Sequence, residues 1–165
     1  MSRLRALAHV VAPKVIEDAI DVGALLARLG IPHALVGGLA VGLNGHARAT
    51  RDVDYLVGPE AFERTTPVLV YRDELRDRVV MGVIDLLAVP DEYPVLADEL
   101  AVGEAGDVHV ISVEGLILMK LAANRTQDRD DVERLLAAGA DESRVAAYIA
   151  THAPQLLDRF SEIVG

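Results

Sequence analysis

The sequence predicts an α+β protein that begins with a helix, continues with mixed strands and helices, and ends in a helical third. Three observations support this order: an amphipathic stretch near the N-terminus, short strand-like segments in the middle, and helical periodicity from about residue 112 onward. The chain has 165 residues, of which 52% are hydrophobic. We therefore expect a single domain over residues 1–165, with the helical portion at about 112–165.

The first part of the chain predicts a helix, a strand and a short helix. Residues 13–29 carry an apolar stripe at helical spacing, with Pro13 in the first turn and Gly30 as the stop. Residues 33–36 form a short apolar segment typical of a strand. Gly37 and Gly38 then predict a turn into a helix over 39–45.

The middle of the chain predicts further strands, and the remainder predicts helices. Residues 53–57, one or two segments within 79–89, and 108–111 read as strands, whereas 61–66 reads as a brief helix. Residues 90–106 predict a loop with a short helix. Ser112, Asp128 and Asp141 are suitable N-caps for helices over 113–123, 129–138 and up to about 151. Pro154 is expected to open a last amphipathic helix.

The composition limits the possible classes of function. The absence of cysteine excludes disulfides, zinc sites with cysteine ligands and thiol nucleophiles. No apolar run approaches the length of a membrane span, and the N-terminus does not resemble a secretory signal, so we expect a cytoplasmic protein without a membrane partner. A net charge of −10 argues against broad nucleic-acid binding, although a small basic cleft remains compatible with it.

Three aspartates are the strongest functional signal. Asp85 interrupts the apolar run 82–89, which predicts a buried strand. A carboxylate in such a strand is costly to bury unless it is paired or holds a metal. Asp52 and Asp54 are spaced i, i+2 and therefore share one face of their predicted strand. Together with the preceding glycine turn, these acids are compatible with a two-metal phosphoryl-transfer site.

Two arginines leave the interpretation open. Arg48 and Arg51 flank the approach to the paired acids, where substrate phosphates would lie. The alternative is that both are ordinary surface arginines, or that one forms a salt bridge with Asp85. The five histidines show no close metal-ligand spacing, although His46 lies between the glycine turn and the acids.

Residues 33–41 and 48–54 together resemble the nucleotidyltransferase superfamily, the DNA polymerase beta-like group. Within it, the chain is most similar to small bacterial nucleotidyltransferases related to abortive-infection and toxin–antitoxin systems. Residues 112–132 add to the resemblance through Lys120, Arg125 and Asp128, and the similarity covers about residues 31–136. Two features depart from the pattern. The turn is Gly37-Gly38-Leu39, whereas Gly-Ser is often found at this turn in the superfamily, and Gln127 stands where lysine is common.

The resemblance implies a nucleotidyltransferase-like mixed β-sheet flanked by helices. It also implies transfer of a nucleoside monophosphate from a nucleoside triphosphate to a hydroxyl acceptor, with release of pyrophosphate and Mg²⁺ as cofactor. The implied metal ligands and catalytic residues are Asp52, Asp54 and Asp85. The implied nucleotide-binding residues are Gly37, Gly38, Arg48, Arg51 and Lys120, with Arg125 and Asp128 as weaker candidates.

The acceptor and the protein partners stay open at this point. The acceptor is RNA, a protein side chain or a small molecule. The alternative function is a noncatalytic module of the same fold, which binds nucleotide without turnover or serves as the partner of a toxin.

Overall fold

The computed structural model describes residues 2–64, 68–80, 82–104 and 106–165, without the side chains of Arg64 and Val80. Its α-helices are α1 (Pro13–Arg28), α2 (Gly37–Leu43), α3 (Asp73–Val80), α4 (Val113–Ala123), α5 (Thr126–Ala137), α6 (Glu142–His152) and α7 (Leu157–Val164). The strands are β1 (His33–Val36), β2 (Val53–Val57), β3 (Phe62–Arg64), β4 (Val70–Tyr71) and β5 (Ile84–Ala88). Short 3-10 helices span Arg3–Leu7, Pro59–Ala61, Pro94–Glu99 and Pro154–Leu156.

Within the described ranges, the central sheet contains three strands in the order β1-β2-β5. β1 and β2 are antiparallel, whereas β2 and β5 are parallel, so the sheet is mixed. β3 and β4 form a separate two-stranded antiparallel sheet. These strands and the surrounding helices confirm the predicted α+β class.

The two faces of the central sheet are covered by different parts of the chain. One face carries Leu35, Tyr55 and Leu86, which belong to a core shared with α1. Tyr55 is fully buried, and its hydroxyl donates a hydrogen bond to the carbonyl of Ala19 in α1 at 2.7 Å. Because side chains alternate along a strand, the residues between these point to the opposite face.

The opposite face packs against the helical C-terminal third. Val36 and Leu56 lie there in a second core, which includes Leu116 of α4 and Val132 of α5. Asp54 also lies on this face, because it is two residues before Leu56 in β2. Asp85 of β5 is paired with Asp54 and lies on the same face. The helical third therefore covers the sheet face that carries Asp54, which is paired with Val36 of this core.

The predicted helix starts in the last third agree with the structure where a capping side chain was visible in the sequence. Ser112 caps α4 by accepting a hydrogen bond from the amide of Gly115 at 3.0 Å. Asp141 caps α6 by accepting from the amide of Arg144 at 3.1 Å. α5 begins earlier than predicted, because Asp128 is its third residue and reaches back to the amide of Arg125.

Three local predictions were wrong. The brief helix expected at 61–66 is a 3-10 turn followed by β3, with residues 65 and 66 outside the described part of the chain. Val79 and Val80 were expected in a strand but form the end of helix α3, and the strand found within 79–89 is β5. Residues 108–111 make a single parallel bridge, Leu35 with Val110, and are otherwise not a strand.

No helix in the described ranges combines the length and the apolar character that a membrane crossing requires.

Candidate active site

Asp54 and Asp85 are direct neighbours on adjacent strands. β2 and β5 run parallel, and their register pairs Asp54 with Asp85. Paired residues of neighbouring strands point to the same face, so the two carboxyl groups project side by side. The fold brings these two acids to one sheet face although they are separated by 30 residues of sequence that include α3.

The burial of the two acids is the reverse of the expectation. Asp85 was expected inside a buried strand, but it is exposed because β5 is an edge strand whose residues alternate between buried and exposed. Asp54, in the central strand, is the partly buried acid. Across the described residues no salt bridge joins Asp85 to Arg48 or Arg51. The desolvation argument therefore applies to Asp54.

Asp52 lies immediately before β2 and is exposed. Its carboxylate contributes to the local negative potential, since its charge raises the pKa of Asp54. The three acids do not converge tightly: they are absent from the acid and histidine groups of the described chain whose ligand atoms all lie within 4.8 Å of one another. The site is therefore an open cluster of carboxylates.

The pKa of Asp54 is raised from 3.8 to about 6. Burial is the largest cause, followed by the charges of Asp85 and Asp52. Lys120 and Arg125 act in the opposite direction, because their positive charges favour the ionised carboxylate. The cluster thus has a deficit of positive charge, which a bound cation would relieve.

The first glycine of the turn is required by Asp54. Gly37 follows β1 and has a φ of +65°, in the region that disfavours residues with a side chain. Val36 is paired with Asp54 across the sheet, and a Cβ atom added to Gly37 would overlap the Asp54 carboxylate. Glycine therefore allows the chain to turn directly beside the acid.

The second glycine makes room for the loop that leads to β2. A Cβ atom at Gly38 would lie 2.8 Å from Oγ1 of Thr50 and 3.5 Å from a terminal guanidinium nitrogen of Arg48. The glycine pair thus allows both the acid and the loop over residues 48–52 to approach α2. The sequence had suggested a different reason, the approach of a nucleotide to the backbone.

Arg48 and Lys120 converge on a buried carboxylate. Arg48 donates to both oxygens of Asp131, with Nε–Oδ1 and Nη2–Oδ2 distances of 2.8 Å. Lys120 Nζ lies 2.8 Å from Asp131 Oδ2 and 3.0 Å from Asp128 Oδ1. Asp131 is 0% exposed and Asp128 is 1% exposed. These ion pairs tie the loop before β2 to both α4 and α5.

Asp128 also receives Arg125. Arg125 Nε lies 2.6 Å from Asp128 Oδ2, and the backbone amide of Arg125 donates to the same oxygen at 3.1 Å. Burial alone would raise the pKa of Asp128, but the hydrogen bonds from Arg125 and Lys120 outweigh it and hold the pKa below its ordinary value. We call Arg48, Lys120, Arg125, Asp128 and Asp131 the ion-pair network. Its three cations and two carboxylates leave one positive charge in excess.

A cavity of about 160 Å³ lies between Asp54 and the ion-pair network. It lies between the sheet and the helical third, and its charged lining residues are Asp54, Lys120, Arg125 and Asp128. Arg125 has a side chain that is 76% exposed, whereas that of Lys120 is 8% exposed. Arg51 is exposed and does not line this cavity.

A second group with metal-ligand chemistry was missed from the sequence. His46, Asp130 and Asp131 each place a ligand atom within 4.8 Å of the others. His46 and Asp130 are 84 positions apart, so nothing in the sequence indicated this proximity. Since both oxygens of Asp131 are already engaged by Arg48 and Lys120, its carboxylate has less capacity for a cation than those of Asp54 and Asp85.

Comparison with known families agrees with this geometry. The family described as a nucleotidyltransferase of unknown function (DUF6036) matches residues 15–154. The chain belongs to this family of nucleotidyltransferases. The matched segment contains the glycine turn, the three acids and the whole ion-pair network. None of the curated proteins matches the chain.

Proposed function

We propose that this nucleotidyltransferase moves a nucleoside monophosphate from a nucleoside triphosphate to a hydroxyl acceptor, with Mg²⁺ as cofactor. The register that pairs Asp54 with Asp85, beside the left-handed turn at Gly37, carries this proposal. Two neighbouring carboxylates on one sheet face, one of them with a raised pKa, form a site that favours a divalent cation. The family assignment supports the general reaction.

The donor chemistry of the site fits magnesium. Mg²⁺ prefers hard oxygen ligands, and Asp52, Asp54 and Asp85 supply carboxylates without competing basic partners among the described residues. Asp54 and Asp85 would hold the ion, and Asp52 would complete the ligand set from the end of the loop before β2. When bound, the ion neutralises phosphate charge and lowers the pKa of the acceptor hydroxyl.

The reaction assigns distinct roles to the residues of this chain. An acceptor hydroxyl oxygen bonds to the α-phosphorus while the bond from that phosphorus to the oxygen bridging to the β-phosphate breaks, so that pyrophosphate leaves. We assign Asp85 as the group that accepts the hydroxyl proton, because it is exposed at the edge of the sheet. Asp54 orients the reacting groups from the central strand.

The triphosphate would bind between the glycine turn and the start of α5. Gly37 and Gly38 leave backbone amides close to the acids, and Arg51 is exposed just before Asp52. Of the three network cations, Arg125 is the one most available to a phosphate, because its side chain is mainly exposed. Under this proposal Lys120 and Arg48 contribute positive potential while they hold α4 and α5 in place.

Transfer of label tests the proposal directly. Purified protein is incubated with α-labelled nucleoside triphosphates, Mg²⁺ and cell extract, and label on an acceptor is measured along with released pyrophosphate. We expect transfer that requires a divalent cation and falls at least about 100-fold in Asp54→Asn and in Asp85→Asn.

The matched control is Asp21→Asn, which changes an exposed acid on α1. We expect it to transfer label as the unmodified chain does. Equal transfer by Asp54→Asn and the unmodified chain contradicts the proposal.

A second candidate function is a noncatalytic nucleotide-binding or partner module. The saturation of Lys120 and Arg48 by buried carboxylates favours it, because two cations expected on the phosphates are already paired. Calorimetry and the transfer assay together separate the two candidates. The noncatalytic module predicts either no nucleotide binding in calorimetry, or nucleotide binding without pyrophosphate release in the transfer assay.

A further inference from the structure

An apolar groove of about 830 Å³ begins two residues beyond Asp85 on the same strand. Leu87 lines both this groove and the cavity that contains Asp54. Asp85 and Leu87 share one face of β5, and both are exposed. A molecule lying in the groove therefore extends directly toward the proposed proton acceptor.

The groove walls come from separate parts of the chain. Phe62 in β3 and Leu69 directly before β4 line it from the side of the small sheet, and Pro90 and Ala97 line it from the segment after β5. Leu69 is 45% exposed and Leu87 is 40% exposed, so two large apolar side chains face solvent beside the site. A contiguous apolar groove of this kind is typical of a site where another molecule binds.

The charges of the groove discriminate between acceptors. Among its described lining residues the charged one is Asp91, and none is basic. An RNA strand needs lysine or arginine at its phosphates, and the chain as a whole carries a net charge of −10. The volume lies within the range of about 300–1,000 Å³ that is typical of small-molecule sites.

We infer that the groove binds the acceptor, and that the acceptor is a small hydroxyl compound with an apolar body and a neutral or positive charge. The inference rests on the proposed nucleotidyl transfer. The apolar body lies against Leu87 and Phe62, and the hydroxyl points toward Asp85. The reaction is the transfer described above, with this hydroxyl as the attacking group and pyrophosphate as the leaving group.

The first experiment identifies the class of acceptor. Cell extract is separated into RNA, protein and compounds below about 1 kDa, a size matched to the groove, and each fraction is incubated with the protein, labelled nucleoside triphosphates and Mg²⁺. We expect label in the small-compound fraction. Label confined to RNA or to protein overturns this inference and leaves the proposed nucleotidyl transfer intact, whereas no transfer to any fraction overturns both.

The second experiment tests the groove itself. Ala97→Arg and Leu69→Arg place a long charged side chain in the groove from opposite walls, and Ala137→Arg is the control on the exposed end of α5. We expect a rise of at least about tenfold in the acceptor KM for both groove variants. Binding of magnesium nucleotide in calorimetry shows that each variant is folded.

The uncharged naphthalene dye prodan serves as a direct probe of the groove: its fluorescence should shift to the blue with the unmodified chain and with Ala137→Arg. Unchanged acceptor KM and dye binding in both groove variants would reject the groove as the acceptor site.

Discussion

Aspartates occur both in the acidic cluster (Asp52, Asp54 and Asp85) and in the ion-pair network, but the pKa of Asp54 is raised whereas that of Asp131 is lowered. Asp131 is completely buried and bonded to Arg48 and Lys120, which hold its pKa low despite the burial that would raise it. Asp54 is partly buried, and its pKa rises to about 6, first because of that burial and then because of the charges of Asp85 and Asp52. A buried acid stabilises a fold when its partners are cations, whereas crowded acids are retained where a ligand supplies the missing charge.

The largest expected effect is loss of the network. Asp131→Ala leaves the guanidinium of Arg48 and the ammonium of Lys120 without their shared partner, and we expect a decrease of about 3–5 kcal/mol in the free energy of unfolding. Chemical denaturation measures it. Asp130→Ala, at the neighbouring and more exposed position, is the control and should change the free energy by less than about 1 kcal/mol. Equal effects of the two variants would show that the network does not stabilise the fold.

Removal of a charge from the acidic cluster should increase the free energy of unfolding instead of decreasing it. Asp54→Asn removes a repelled carboxylate, so at pH 8 without divalent cations we expect stability to increase by roughly 1–3 kcal/mol. The same variant should lose nucleotidyl transfer. A gain in stability combined with a loss of activity distinguishes a functional acid from a structural one. If Asp54→Asn instead destabilises the chain as Asp131→Ala does, the contrast between the two regions is wrong.

The pH dependence sharpens the contrast. The folded chain holds a proton on Asp54 up to about pH 6, whereas the unfolded chain loses it near 3.8, so stability from this group decreases as the pH rises between those values. Burial lowers the pKa of His33, so the contribution of this histidine to stability decreases as the pH falls through 6.5, whereas that of Asp54 increases as the pH falls. The difference between the unmodified chain and Asp54→Asn isolates the aspartate. That difference should grow up to about pH 6 in thermal denaturation, and Mg²⁺ should reduce it above that pH. A constant difference across this range would contradict the raised pKa.

The smallest effect on stability is expected at Arg125, which touches both regions. Its side chain is 76% exposed, so Arg125→Gln should change the free energy of unfolding by less than about 1 kcal/mol. Because Asp128 keeps Lys120 and the Arg125 amide as partners, the network persists. Nucleotide affinity should fall about tenfold in calorimetry. Arg144→Gln, a 74% exposed arginine on α6, is the control and should bind nucleotide normally.

Local chemistry accounts for the predictions that agree with the structure. Ser112 and Asp141 indicated helix starts because an N-cap needs only its own side chain and the following amides. β1 and β2 were visible as short apolar segments. The burial of Asp85 was predicted wrongly because an apolar strand has the same sequence pattern in the centre of a sheet and at its edge, and strand order depends on contacts distant in sequence.

The network was beyond the reach of sequence reasoning for the same reason. Arg48 and Asp131 are 83 positions apart, and nothing near either residue indicates the other. Arg48 was predicted as a phosphate contact from its position before the acids, and Lys120 from the family resemblance. Both roles stay predictions. The structure adds that both already have buried partners.

The sequence by itself determined the helix starts, the strands β1 and β2, the glycine turn and the three acids, since each depends on neighbouring residues. Only the tertiary structure decided that Asp54 lies beside Asp85 and that the absence of a side chain at Gly37 leaves room for the Asp54 carboxylate. It also decided that Arg48 pairs with Asp131 of α5. Electrostatic state is a property of neighbours in space, and folding chooses those neighbours from distant parts of the chain.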